Sequence, residues 1–203
     1  MKLVIIKYNA GNIQSVLFAL ERLGVQATVS DDVDEITSAD KVIFPGVGEA
    51  STAMQYLTSR GLDQVIKNLE QPVLGVCLGM QLMCDYSEEN DTKCLGIFDE
   101  QVKKFDAGTA SGSAPRYKIP QMGWNNLYDL KSDLFTGLGD NSYCYFVHSY
   151  YASLGEHTIA TVNYIQPYSA ALQKNNFYGV QFHPEKSAET GEKILRNFIS
   201  SQL

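Results

Sequence analysis

The sequence predicts an α/β fold: an open, mostly parallel sheet with helices on both faces and an antiparallel C-terminal portion. Three features predict it. The first 45 residues alternate apolar runs with helix-period stretches, in the order βαβ(α)β. The runs Leu3–Ile6 and Val42–Phe44 are apolar at every position, as in strands covered on both faces; a strand with one wet face would alternate. From Tyr143 onward, strand-like stretches follow one another with turns between them, which suits antiparallel pairing.

Leu3-Val4-Ile5-Ile6 is the first strand. Asn9-Ala10-Gly11-Asn12 turns the chain, and Asn12 is placed to cap a helix whose apolar residues Ile13, Val16, Leu17, Leu20 and Leu23 recur at helical spacing. Gly24 ends that helix. Val25 to Val29 reads as the second strand, Asp31-Asp32 as a turn and Lys41 to Phe44 as the third strand. Pro45-Gly46-Val47-Gly48 is a loop, and helices follow over about Glu49 to Ser59 and Leu62 to Leu69. Pro72-Val73-Leu74 opens the fourth strand, and a helix is expected from Met80 to Tyr86. Residues 106–116, polar and rich in Gly and Ser, read as an exposed loop within a single domain spanning 1–203, because apolar strands resume on both sides. Tyr143–Val147, His157–Asn163, Ala170–Gln173 and Phe177–Phe182 read as strands. The last helix runs from about Ala188 to Ser201, with Ile194, Leu195, Phe198 and Ile199 inward.

Between the fourth strand and its helix stands Gly75-Val76-Cys77-Leu78-Gly79, the strand–turn–helix elbow G-x-S-x-G with Cys in place of Ser. A nucleophile at such a turn is strained, and Gly two before and two after removes Cβ atoms that would collide with it. The free N–H groups and dipole of the following helix favour a thiolate there. Taken alone, Cys77 also reads as a buried, inert cysteine at a strand-to-loop crossing. His183-Pro184-Glu185 follows the strand Gly179–Phe182. A His at one strand end can reach a Cys at another, and a carboxylate two residues on can fix its tautomer. Taken alone, this tripeptide reads first as a surface turn with a solvated His and Glu. His148 is either a second base or a hydrogen-bonded structural residue, and His157, at a strand start, is expected to be exposed. The Pro45–Gly48 loop and the elbow both lie at carboxyl ends of parallel strands, where open α/β sheets bind ligands.

Composition narrows the function classes. A net charge of −7 argues against broad binding to nucleic acid or anionic lipid. Lys2 to Lys7 holds too short an apolar run for a signal segment, and no stretch approaches the ~18 apolar residues of a membrane span. Cys77, Cys84, Cys94 and Cys144 show no CxxC and no zinc spacing, so they read as reduced thiols of a cytoplasmic protein with no metal site. There is no G-x-G-x-x-G or Walker A loop.

Gly-Val-Cys-Leu-Gly-Met-Gln, Pro-Gly-Val-Gly and the late Gln-Phe-His-Pro-Glu-Lys-Ser, in this order, resemble the class I (triad) glutamine amidotransferases, whose fold is flavodoxin-like. Pro120-Gln121-Met122-Gly123-Trp124-Asn125 and Val147-His148-Ser149-Tyr150-Tyr151 narrow the resemblance to the amidotransferase subunits of imidazole glycerol phosphate synthases, from histidine biosynthesis, over essentially the whole chain. The resemblance implies a glutaminase without cofactor that hydrolyses L-glutamine to glutamate and ammonia. Cys77 is the expected nucleophile, His183 the general base and acid, and Glu185 the residue that orients His183. The backbone N–H groups of Leu78 and Val47 are the expected oxyanion donors. Gly46, Gly48, Gln81, Ser149 and Tyr150 are expected around the substrate. Gly46 and Gly48 are further expected to let the Val47 peptide turn over, leaving the oxyanion hole incomplete at rest.

The resemblance also implies a partner, a (β/α)8-barrel cyclase subunit that receives the ammonia and makes imidazole glycerol phosphate and AICAR. Asn12, Trp124 and Lys186 are the expected interface residues. Two departures fall in segments that would face this partner. Gln121 stands where the family often has His, and Lys7-Tyr8-Asn9-Ala10-Gly11-Asn12 stands where it often has Asp-Tyr-Gly-x-Gly-Asn. Three other functions are compatible with the motifs: an amidotransferase subunit of anthranilate or aminodeoxychorismate type, a non-catalytic regulatory subunit of the same fold, or a free-standing thiol hydrolase or peptidase that needs no partner.

Overall fold

The computed structural model describes residues 1–9, 12–106, 108, 117–139 and 142–200. Its first half alternates strands β1 (Leu3–Ile6), β2 (Ala27–Ser30), β3 (Lys41–Phe44) and β4 (Val73–Val76) with helices α1 (Ile13–Arg22), α2 (Val33–Thr37), α3 (Ala50–Ser59), α4 (Leu62–Lys67) and α5 (Leu78–Met83). Strands β5 (Tyr86–Ser87), β6 (Thr92–Lys93), β7 (Gln101–Lys104), β8 (Gln121–Asn126), β9 (Tyr143–His148), β10 (Tyr150–Ala152), β11 (Thr158–Tyr164), β12 (Gln166–Lys174) and β13 (Phe177–Val180) follow, and α6 (Ala188–Ser200) closes the chain.

The main sheet has the order β11-β12-β13-β4-β3-β1-β2. The five strands from β2 to β13 are parallel, and β12 and β11 are antiparallel additions at one edge. Alternate side chains of β1 divide between two cores. Val4 and Ile6 pack with Leu57, Leu62 and Met80 of α3, α4 and α5; Leu3 and Ile5 pack with Val16 and Leu20 of α1 and Ile194 and Phe198 of α6. Both faces are covered, which is why these strands carry no polar alternation.

The structure corrects several boundaries. The second strand is Ala27–Ser30 rather than Val25–Val29. The helix of the elbow starts directly after Cys77 and ends at Met83, not Tyr86; Tyr86 begins β5 of a small second sheet, β10-β7-β5-β6. The stretch at Tyr143–Val147 lies outside the main sheet and pairs with β8 in a two-stranded antiparallel ribbon. The strand at Phe177 is antiparallel to β12 but parallel to β4, so it extends the parallel sheet. Asn12 stands at the N-cap position of α1 with φ 76, yet its side chain makes no cap hydrogen bond and goes elsewhere. His157 is not exposed: its side chain keeps 10% of its accessible surface, and its Nδ1 lies 3.1 Å from the Glu100 carboxylate. Of the loop expected over 106–116, all but Asp106 and Gly108 lie outside the described residues. Among the described residues no helix is long and apolar enough to cross a membrane.

Candidate active site

The site is built where β4 and β13 lie side by side. Their register pairs Val76 with Val180, and the Cys77 N–H donates to the Val180 carbonyl at 2.7 Å. Cys77 and the His183 segment therefore leave the sheet as neighbours. Cys77 has φ 53 and ψ −107, a strained conformation for a residue with a side chain, and it stands at the N-cap of α5. The flanking glycines are required, though not because of the nucleophile. A Cβ on Gly79 would run into the Phe44 carbonyl, and a Cβ on Gly75 would lie 2.9 Å from the Gly79 carbonyl carbon and the Met80 nitrogen. They let α5 lie directly on the ends of β3 and β4, which forces the sharp turn.

His183 and Glu185 are buried, and His183 Nδ1 lies 2.7 Å from Glu185 Oε1. That contact directs Nε2 away from the carboxylate, and Nε2 has no hydrogen-bond partner among the described residues. Burial acts to lower the His183 pKa, but the charge of Cys77, followed by the Glu185 contact, outweighs it and raises the pKa. A protonated imidazole is the form of His183 this favours. The main chain of His183 is held as well: its N–H donates to the Tyr145 carbonyl of β9 at 2.9 Å, and its carbonyl accepts from Ser187 Oγ at 2.6 Å.

A cavity of about 240 Å³ opens beside Cys77. Val47, Gly48, Leu78, Gln81, Ser149 and Tyr150 line it, so every residue expected around the oxyanion and the substrate is there except Gly46, which lies just behind. The Leu78 N–H is already engaged: it donates to the Gly46 carbonyl at 3.3 Å. Gly48 has φ +130, a conformation open to glycine, and a Cβ on Gly46 would lie 2.9 Å from the Leu78 Cβ.

His148 is structural. Its Nδ1 lies 2.7 Å from the Tyr150 carbonyl and its Nε2 3.0 Å from Tyr168 Oη, so neither nitrogen is free. Burial lowers its pKa to about 4, against the hydrogen bond to Tyr150. Asn12 is drawn into the site, its Nδ2 donating to Glu185 Oε1 at 2.5 Å. Lys186 and Trp124, by contrast, are exposed, Trp124 at 52% beside Met122 at 65% on the same ribbon.

Sequence reasoning missed three residues here. Asn12 was read as a cap and as an interface residue; its contact with Glu185, 173 residues away, is closed only by the fold. Glu89 lines the cavity with its carboxylate accepting from the Ala50 N–H at 2.8 Å. Gln181, fully buried, places Nε2 3.6 Å from Cys77 Sγ. Its signal was available, since it precedes the His183 segment by two residues. Among the described residues no group of three or more His, Cys, Asp or Glu is arranged to hold a metal ion.

Comparison with known proteins agrees with this geometry. The family model for glutamine amidotransferase class-I matches residues 4–201. The imidazole glycerol phosphate synthase subunit HisH of Bacteroides fragilis is 57% identical over 202 residues, which span 98% of this chain and 99% of that protein. HisH of Bacteroides thetaiotaomicron is 54% identical over 199 residues, again 98% of this chain and 99% of that protein. Among solved structures, a glutamine amidotransferase superposes with a TM-score of 0.71 at 17% identity, covering 97% of this chain and 96% of that one.

Proposed function

The chain belongs to the class I glutamine amidotransferases, and from that premise we propose that it is the glutaminase subunit of an imidazole glycerol phosphate synthase, acting through Cys77, His183 and Glu185. It hydrolyses L-glutamine and passes ammonia to a cyclase subunit in histidine biosynthesis. The observation that carries the reading is the juxtaposition at the β4 and β13 ends: a strained Cys77, a buried His183 whose pKa its charge raises, and Glu185 2.7 Å behind the imidazole. An anthranilate-type subunit gives way to the HisH relatives, which match along the whole chain. A non-catalytic subunit would have no need of the assembled triad.

The Cys77 thiolate attacks the side-chain carboxamide carbon of glutamine, and the carbonyl oxygen takes up the negative charge. As the intermediate collapses, the C–N bond breaks and His183 Nε2 gives its proton to the departing ammonia. The neutral imidazole then takes a proton from water, which attacks the glutamyl thioester. Collapse of the second intermediate expels the thiolate and frees glutamate. Glu185 holds the ring in one tautomer throughout. In the cavity, Gln81 Nε2 is committed to the Tyr150 carbonyl at 2.8 Å and to Gln181 Oε1 at 2.9 Å. Only the Gln81 oxygen is left for the substrate ammonium, with the Glu89 carboxylate across the cavity as a second counter-group.

The oxyanion hole needs the N–H groups of Leu78 and Val47. At rest the Gly46 carbonyl occupies the first of them. The Gly46–Val47 peptide must turn over to withdraw that carbonyl and present the Val47 N–H, and Gly48 supplies the freedom for it. One missing donor costs on the order of 100- to 1000-fold in turnover. A partner that completes the hole only when its own substrate is bound avoids wasting ammonia. That partner is a (β/α)8-barrel cyclase, docked on the exposed Trp124 ribbon and Lys186 next to the triad. The buried, free cysteines suit a reducing, cytoplasmic setting.

Glutamine turnover measured with and without the barrel subunit and its ligand tests the reading. The isolated chain is expected to be at least 100-fold slower than the complex. Cys77→Ala is expected to abolish glutaminase activity and leave ammonia-dependent synthesis intact. Full turnover by the isolated chain would remove the oxyanion switch, and loss of both activities in Cys77→Ala would make Cys77 a structural residue.

A further inference from the structure

Gln181 stands next to Cys77 where β4 and β13 end. The β4–β13 register that pairs Val76 with Val180 brings Gln181 level with Cys77. Its backbone needs are met inside the sheet, where its N–H donates to the Ala170 carbonyl at 2.8 Å. The side chain is free to serve another purpose, and it is fully buried.

The orientation of its amide follows from a chain of donors that begins at a backbone carbonyl. The Tyr150 carbonyl can only accept, so the group 2.8 Å from it must be the nitrogen of Gln81. The same nitrogen lies 2.9 Å from the Gln181 amide, so the oxygen of Gln181 faces Gln81. The nitrogen of Gln181 is then left pointing at Cys77 Sγ, 3.6 Å away. Gln181 thus turns an N–H and not a lone pair to the sulfur, its direction set by a main-chain group two side chains away, while the sulfur's other neighbour is the Val147 carbonyl, 4.0 Å off.

We infer that Gln181 is a catalytic residue of this glutaminase: its side-chain N–H holds the Cys77 sulfur as a thiolate, and Gln81, fixed by the Tyr150 carbonyl, positions it. A donor at the sulfur favours the charged form over the thiol, as a protonated imidazole nearby also does. Gln81 thereby has two tasks, because it also lines the glutamine cavity. The inference rests on the reading of Cys77 as nucleophile. The titratable groups around the sulfur are His183 with Glu185 behind it, Tyr8, Tyr168, His148 and Glu89, and the variants below leave all of them in place.

The test is the pH dependence of Cys77 alkylation by iodoacetamide in the full chain, followed by mass spectrometry of the Cys77 peptide. Gln181→Leu and the similarly sized Gln181→Met are both made, so that one misfolded variant does not end the experiment. Each is expected to move the alkylation midpoint up by about one pH unit, a roughly tenfold loss of thiolate at a fixed pH below the midpoint. Gln181→Glu, which turns a lone pair on the thiolate at high pH, is expected to move it further. A residue that only fills space would change the plateau rate through access and leave the midpoint where it was; an unmoved midpoint in a folded variant overturns the inference. Glutamine turnover of Cys77→Ser in the complex separates the two readings. If that variant keeps the wild-type rate, the nucleophile assignment fails; if it is inactive while the Gln181 midpoint is unmoved, only the role of Gln181 falls.

Discussion

Replacing Asn12 with Ala tests whether the triad ends at Glu185. Asn12 Nδ2 donates to Glu185 Oε1 at 2.5 Å, on the same oxygen that accepts from His183. The other carboxylate oxygen, Oε2, is buried and has no partner among the described residues. Without Asn12 the carboxylate is held by His183 alone. Hydrogen bonds to charged groups are worth ~1.5–3 kcal/mol. Asn12 is only half-buried, so water can take up part of its role, and about 1.5 kcal/mol is the figure to carry forward. If that loss falls on the transition state, where the imidazole changes charge twice, kcat drops about tenfold. The assay is glutaminase turnover at saturating barrel subunit and ligand, with ammonia-dependent synthesis as the control for assembly. KM for glutamine should stay put, because Asn12 does not line the cavity. Asn12→Asp should be worse than Ala, since it sets two carboxylates against each other. An unchanged kcat with a weakened partner affinity would mean that Asn12 serves the interface only. An Asp variant more active than Ala would refute the electrostatic reasoning itself.

Other substitutions probe the scaffold around this line. Gly79→Ala drives a Cβ into the Phe44 carbonyl, which is backbone at the end of β3, so α5 must lift off the sheet; a stability loss of about 3 kcal/mol is expected in urea unfolding, together with loss of glutaminase. His148 gives a pH signature. Its folded pKa of about 4 lies below the ordinary value of 6.5, so the unfolded chain takes up a proton that the folded chain refuses, and stability falls as pH drops from 6.5 to 4. This amounts to about 3 kcal/mol over that window, and His148→Gln should flatten that part of the stability curve; an unaltered slope would mean that His148 is not buried neutral. Trp124→Ala, on the exposed ribbon, should weaken association with the barrel subunit by about 2 kcal/mol, or 30-fold in Kd, without moving Tm; an unchanged Kd would place the interface elsewhere.

The parallel half of the fold was legible because its signals are local. Leu3–Ile6 and Lys41–Phe44 appear at the expected bounds, since the apolar runs Leu3–Ile6 and Val42–Phe44 are unbroken, as in strands buried on both faces. Gly24, in the left-handed conformation one residue past the C-cap Leu23, ends α1 as expected. The middle and the strand pairings were not legible. Nothing at Tyr143–Val147 states that its partner is β8 and not the main sheet, because alternation marks a strand but does not name its neighbour.

The same division runs through the site. The sequence singled out the elbow, the His-Pro-Glu run and the glycine loop, because each needs particular residue types at fixed short spacing, and their combination and order carried the family resemblance. It assigned the elbow glycines to the wrong collision, with the nucleophile, where the collision is between α5 and the strand ends. Only the packed molecule determined that the Gly46 carbonyl holds the Leu78 N–H, that Asn12 turns from its helix to Glu185, and that Gln181 faces the sulfur. Each of these is a hydrogen bond between residues far apart in sequence. Composition and periodicity specify what a segment buries, whereas the direction of a donor is set by whichever acceptor the finished sheet brings within hydrogen-bond reach of it.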